Sequence, residues 1–145
     1  MTKKTPDLPT NATTSLKGVG TLKDTATVTI RHLDYAKRLV NPDGTPMTVV
    51  LYGQFSKRYK TVMRELQQAR MLGTAPEGED SIEDMQRALA AKCIVSWDIT
   101  LDGADRLPFT PENVEMVEKE YPWVIDQLVL AQGVSSDFLE PPKEN

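Results

Sequence analysis

Val95-Ser96-Trp97-Asp98-Ile99-Thr100-Leu101-Asp102-Gly103-Ala104-Asp105-Arg106-Leu107-Pro108-Phe109-Thr110-Pro111-Glu112-Asn113-Val114 joins two segments of helical periodicity. Val95, Trp97, Ile99 and Leu101 alternate with Ser96, Asp98 and Thr100, the period of a half-buried strand. Asp102-Gly103 signals a turn, after which Arg106 to Phe109 is expected to pair back as a small hairpin. Thr110-Pro111-Glu112 has the marks of a helix start: a capping hydroxyl, proline at the first helical position and an acid in the first turn. Trp97, Gly103, Phe109, Thr110 and Pro111 are therefore assigned structural roles. Trp97 fits the core around the hairpin, and a tryptophan also fits an interface.

Upstream, Ala26, Val28 and Ile30 alternate with Thr27, Thr29 and Arg31, which predicts a strand over 25–32. An irregular connection and the turn Asn41-Pro42-Asp43-Gly44 lead to a second strand over 47–52. Its inner face is Met47, Val49 and Leu51, and Gly53 ends it. Ser56 then caps a helix with Tyr59, Val62, Met63, Leu66 and Ala69 on one side. Lys57, Arg58, Lys60 and Arg64 lie on the other. Residues 73–80 are expected to form an acidic loop. Ser81 and Asp84 open a helix expected to bury Ile82, Met85, Leu89 and Cys93.

Downstream, a helix from Pro111 to about Glu120 breaks at Tyr121-Pro122, and a second runs to Gly133 with Val124, Leu128 and Ala131 as its apolar stripe. Phe138 and Leu139 dock a last short turn. The expected fold is α+β: a small antiparallel sheet or hairpins packed with four to five short helices. It comprises a disordered arm (1–24), one domain (25–139) and a frayed tail (140–145). The domain divides into a basic strand–strand–helix half (25–72) and an acidic helical half (81–139).

The chain of 145 residues is long enough for one cored domain. No apolar run approaches the roughly 20 residues of a membrane span, and the start of the chain lacks the apolar segment of a secretory signal. A single cysteine excludes an internal disulfide framework and fits a reducing compartment. The net charge of −4 hides a polarity: residues 1–72 hold 12 basic and 5 acidic side chains, and residues 73–145 hold 5 and 16. Either the halves attract each other within one fold, or they mark head-to-tail association or docking of a charged partner.

No catalytic constellation is visible. His32 is the sole histidine and is read as structural. Cys93 lies on an apolar helical face and is read as an inert thiol. Asp98, Asp102 and Asp105 lack the alternation of a calcium loop. The fragment Gly18-Val19-Gly20 lacks the remaining features of a phosphate loop. No cofactor or metal is expected, and the acidity of the chain argues against nucleic acid as a partner. Tyr121-Pro122 sets Trp123 at an exposed helix start, where core and interface roles are equally open.

Trp97, Asp102-Gly103, Leu107-Pro108-Phe109-Thr110-Pro111-Glu112-Asn113, Pro122-Trp123 and a final Phe138 together resemble the tail assembly chaperones of long-tailed bacteriophages. The upstream half is similar to that family in layout, with Pro42-Asp43-Gly44 between two strands, Gly53 after the second, and Ser56 and Tyr59 opening an arginine-bearing helix. The resemblance spans about residues 25–139. It implies a non-enzymatic protein of the host cytoplasm that binds the tape measure protein, keeps it soluble and assists tail tube subunits to assemble. Partner contacts are then expected at Trp123, Tyr121, Leu128 and Phe138, with Arg58 and Arg64 on the basic helix. Homo-oligomers through the complementary halves are a further expectation. The rival readings are a structural or minor tail protein of the virion, a small enzyme built on His32 or the three aspartates, and a nucleic-acid-binding regulator using the basic helix.

Overall fold

The computed structural model describes residues 9–74 and 81–142. Its elements in chain order are α1 (Leu16–Val19), β1 (Thr21–Leu22), β2 (Thr25–Thr29), β3 (Thr48–Tyr52), α2 (Lys57–Met71), α3 (Ile82–Lys92), β4 (Ile94–Asp98), α4 (Pro111–Glu120), α5 (Pro122–Gln132), a 3-10 turn (Ser135–Phe138) and β5 (Leu139–Glu140). This is the expected α+β architecture. β2, β3 and β4 form an antiparallel sheet with β3 in the middle, and β1 pairs with β5 in a second, two-stranded sheet.

Alternation decides which face of the larger sheet is buried. Ala26, Val49, Leu51 and Ile94 point into the core, joined beyond the strand ends by Ile30 and Ile99. Thr27, Thr29 and Ser96 are exposed on the opposite side. In β4 the predicted alternation fails at one residue. Val50 faces Ser96, but Leu51 faces Ile94, so Val95 is the extra residue of a bulge and is 37% exposed. A bulge shifts every residue beyond it to the other face, which is why Ile94 rather than Val95 enters the core.

The helices cover the buried face. Ser56, Ser81 and Thr110 each accept a hydrogen bond from the backbone N–H three residues on, at Tyr59, Asp84 and Asn113. The Ser81 hydroxyl also donates to Asp84 Oδ2 at 2.6 Å. α2 buries Val62 and Leu66 and closes with Thr74 N–H bonded to Ala69 O and Gly73 N–H to Arg70 O. α3 departs from its expected stripe. Leu89 and Cys93 are buried as expected, but Ile82 is 63% exposed, and Ala88, Ala90 and Ala91 complete the buried face. Alanines allow the close approach between helices that larger residues would prevent, so α3 is the central helix, packed on α2, α4 and α5.

α5 is tied to both ends of the sheet. Gln127 exchanges two hydrogen bonds with the Arg31 backbone, at 2.8 and 2.9 Å. Gln132 Nε2 donates to Tyr52 O at 2.8 Å. On the same helix Ile125 and Leu128 have no exposed surface, each burial contributing about 1.5–3 kcal/mol.

Part of the expected disordered arm is structured. Ser15 caps α1, and Thr21 and Leu22 pair with Glu140 and Leu139. Gly20, at φ +103°, lies so close to the chain that an added Cβ would sit 2.2 Å from Glu140 O. A pair of backbones, rather than a phosphate, explains this glycine. The rest of the expected arm and tail at 1–8 and 143–145, and residues 75–80 of the acidic loop, lie outside the described residues.

Candidate functional site: an apolar groove

At the end of the sheet where β2 finishes and β3 begins, the core is not filled. A half-open groove of about 190 Å³ lies among Ile30, Leu39 and Met47 on one wall, Ile99 to Leu101 and Leu107 on a second, and Val117, Tyr121, Trp123 and Val124 on the third. All of these except Thr100 are apolar or aromatic.

The third wall follows from local sequence. Tyr121 ends α4, with its N–H on Val117 O at 2.8 Å, and Pro122 begins α5 at once. Proline has no N–H to donate and has its φ preset, so it breaks one helix and starts the next without a linker. The abrupt junction turns Tyr121 and Trp123 onto the groove. Trp123 is half-buried and packed against the core, not exposed as expected; Tyr121 is 37% exposed.

The second wall belongs to the stretch from Val95 to Val114. No ladder forms over 106–109, so the expected hairpin is absent. Instead Leu107 N–H bonds Ile99 O at 2.8 Å, and Trp97 Nε1 donates to Leu107 O at 2.8 Å. Trp97 meets Phe109 edge to face, with ring centroids 5.1 Å apart. Asn113 Nδ2 bonds Pro108 O at 2.8 Å just inside α4. Proline at 108 cannot donate to a strand partner, and these side-chain bonds hold the returning chain in its place. Gly103 lies at φ +75° in the exposed turn.

A polar network outside the groove joins the first two walls. Arg106 donates to Asp43 Oδ2 at 2.8 Å, to Thr45 Oγ1 at 3.0 Å and to Asp98. Asn41, 1% exposed, donates to Asp98 O and Pro46 O and accepts from Thr100 Oγ1. Hydrogen bonds from the Thr45 hydroxyl and amide, with the Arg106 guanidinium, lower the Asp43 carboxyl to about 2. Asn41 and Asp43 read in sequence as turn residues. Beside local bonds to Thr45 and Pro46, their partners Asp98, Thr100 and Arg106 lie about 60 positions away, and no local pattern announces that part of the network.

Of the expected contact residues, only Tyr121 and Trp123 line the groove. Leu128 is wholly buried in the core and Phe138 is 3% exposed, so neither offers a surface. Arg58 and Arg64 are exposed on α2, and Arg58 reaches Lys92 O at 3.4 Å. Sequence reasoning missed Leu39, Met47, Leu101 and Leu107, which gather only when loops from both halves meet.

The chemistry-bearing residues stay apart. His32 Nδ1 accepts from Asp34 N–H in a local turn. Cys93 is buried, which raises its thiol pKa. Asp98 is paired with Arg106, and Asp102 and Asp105 are exposed. Among the described residues no three His, Cys, Asp or Glu side chains are placed to share a metal ion, and no helix is long and apolar enough to cross a membrane. One ion pair between the halves, Arg106–Asp43, takes its cation from the acidic half and its anion from the basic one. In comparison with known proteins, no family model, curated protein or solved structure matches the chain.

Proposed function

We propose that this chain is a non-enzymatic tail assembly chaperone of a long-tailed bacteriophage, acting in the host cytoplasm on the tape measure protein, with tail tube subunits as further partners. One observation carries the reading. The half-open apolar groove is lined by two residues that bear the resemblance, Leu107 and Trp123, with Ile99 to Leu101, Tyr121 and Val124 beside them. A holdase needs an apolar receptor for side chains that its client would otherwise expose, and an amphipathic helix is read through such a groove by its apolar anchors. Aromatic residues at the lip supply large contact area at low entropic cost.

Co-expression with a tape measure fragment tests this. Trp123→Ala and Tyr121→Ser, each confirmed to be folded, are expected to weaken client binding by about 2 kcal/mol, the size of an aromatic hot spot. Client that stays soluble and bound with both variants sinks the proposal. Recovery of the chain in purified virions would favour the alternative, a structural or minor tail protein.

A further inference from the structure

A half-open apolar groove is a standing cost to the free protein, because it leaves apolar surface facing water. Leu101 is poised to fill it: it lines the groove, is 47% exposed, and sits on a turn whose next four residues are exposed. The loop is restrained from the other side. Arg106 ties it to Asp43 and Thr45 of the turn between Leu39 and Met47, and to Asp98 at the end of β4. A guanidinium holds three acceptors at once because its donors form a rigid fork.

We infer that Arg106 is a positioning residue that keeps the groove open, by clamping the Ile99–Leu107 loop to the Asn41–Pro46 turn so that Leu101 cannot fold inward. The clamp makes the receptor ready-formed, which spares a binding partner the work of opening it. The inference gives a mechanism to the groove proposed above as the client site, but its test needs no client.

The probe is 1-anilinonaphthalene-8-sulfonate, with binding followed by fluorescence and folding by far-UV circular dichroism. Arg106→Gln is expected to bind the dye roughly tenfold more weakly, as when a tenth of the molecules retain the open groove. Arg106→Lys, which keeps the charge without the fork, is expected to lie between. Adding Leu101→Ala to Arg106→Gln removes the collapsing side chain and is expected to restore binding. Unchanged or tighter binding in folded Arg106→Gln, or a wild-type protein that binds no dye, overturns the inference. If Arg106→Gln does not fold, Arg106→Lys and Asp43→Asn each release part of the clamp, and no loss of binding in either overturns it equally. Dye results as expected alongside a client that never binds would sink the chaperone reading alone.

Discussion

The two ends of the three-stranded sheet come out opposite, one plugged and the other open. At the end where β3 finishes, the chain plugs its own gap. Phe138 packs on Gly53, where an added Cβ would stand 2.8 Å from its ring, and only about 10 Å³ of space remains beside them. Lys23 N–H to Phe138 O at 2.6 Å and the β1–β5 pair fix that plug. At the other end nothing comparable enters, and about 190 Å³ stays open. The lesson is that apolar lining does not close a core by itself; a chain segment must be positioned to fill it.

The closed end should show the largest effect when broken. Phe138→Ala removes the plug and is expected to cost about 3–5 kcal/mol, measured by urea unfolding. A loss below about 1 kcal/mol, the scale of a surface change, would mean that the two ends differ less than their geometry indicates. The converse experiment fills the open end. Leu107→Phe places a larger side chain at the groove wall and is expected to raise stability by about 0.5–2 kcal/mol while lowering dye and client binding. Destabilisation with binding intact would show that the groove is not the receptor.

The smallest effect concerns the clamp beside the open end. The Asp43 carboxyl is lowered from 3.8 to about 2 by its bonds to Thr45 and Arg106. A lowered folded-state value means that its contribution is complete above about pH 4 and is lost as the pH falls through about 2. Wild type is therefore expected to lose more in thermal midpoint across that window than Asp43→Asn. Parallel curves would show that the pair contributes nothing, as exposed pairs often do.

Legibility followed the range of the interactions. Caps at Ser56, Ser81 and Thr110, the break at Tyr121-Pro122 and the alternation in β2 and β3 are local, and the structure holds them as read. The bulge at Val95, the exposure of Ile82 and the missing hairpin at 106–109 were not legible. Each depends on what lies across from the residue: β3 for Val95, neighbouring helices for α3, and Trp97 and Ile99 for Leu107. Among the site residues, Tyr121 and Trp123 stood out because a proline junction marks them. Leu128 and Phe138 look just as suited to a partner in sequence, yet both are spent inside the fold.

By itself, then, the sequence determined β2 to β4, the helices α2 to α5, the caps at Ser56, Ser81 and Thr110 and the α+β class, because 3.6- and two-residue periods and backbone hydrogen-bond supply act within a few residues of one another. Only the tertiary structure decided that one end of the sheet is plugged and the other left as a groove. That outcome depends on whether segments about 60 to 85 positions apart, such as Asp43 and Arg106 or Gly53 and Phe138, meet in space, and no local preference encodes such a meeting.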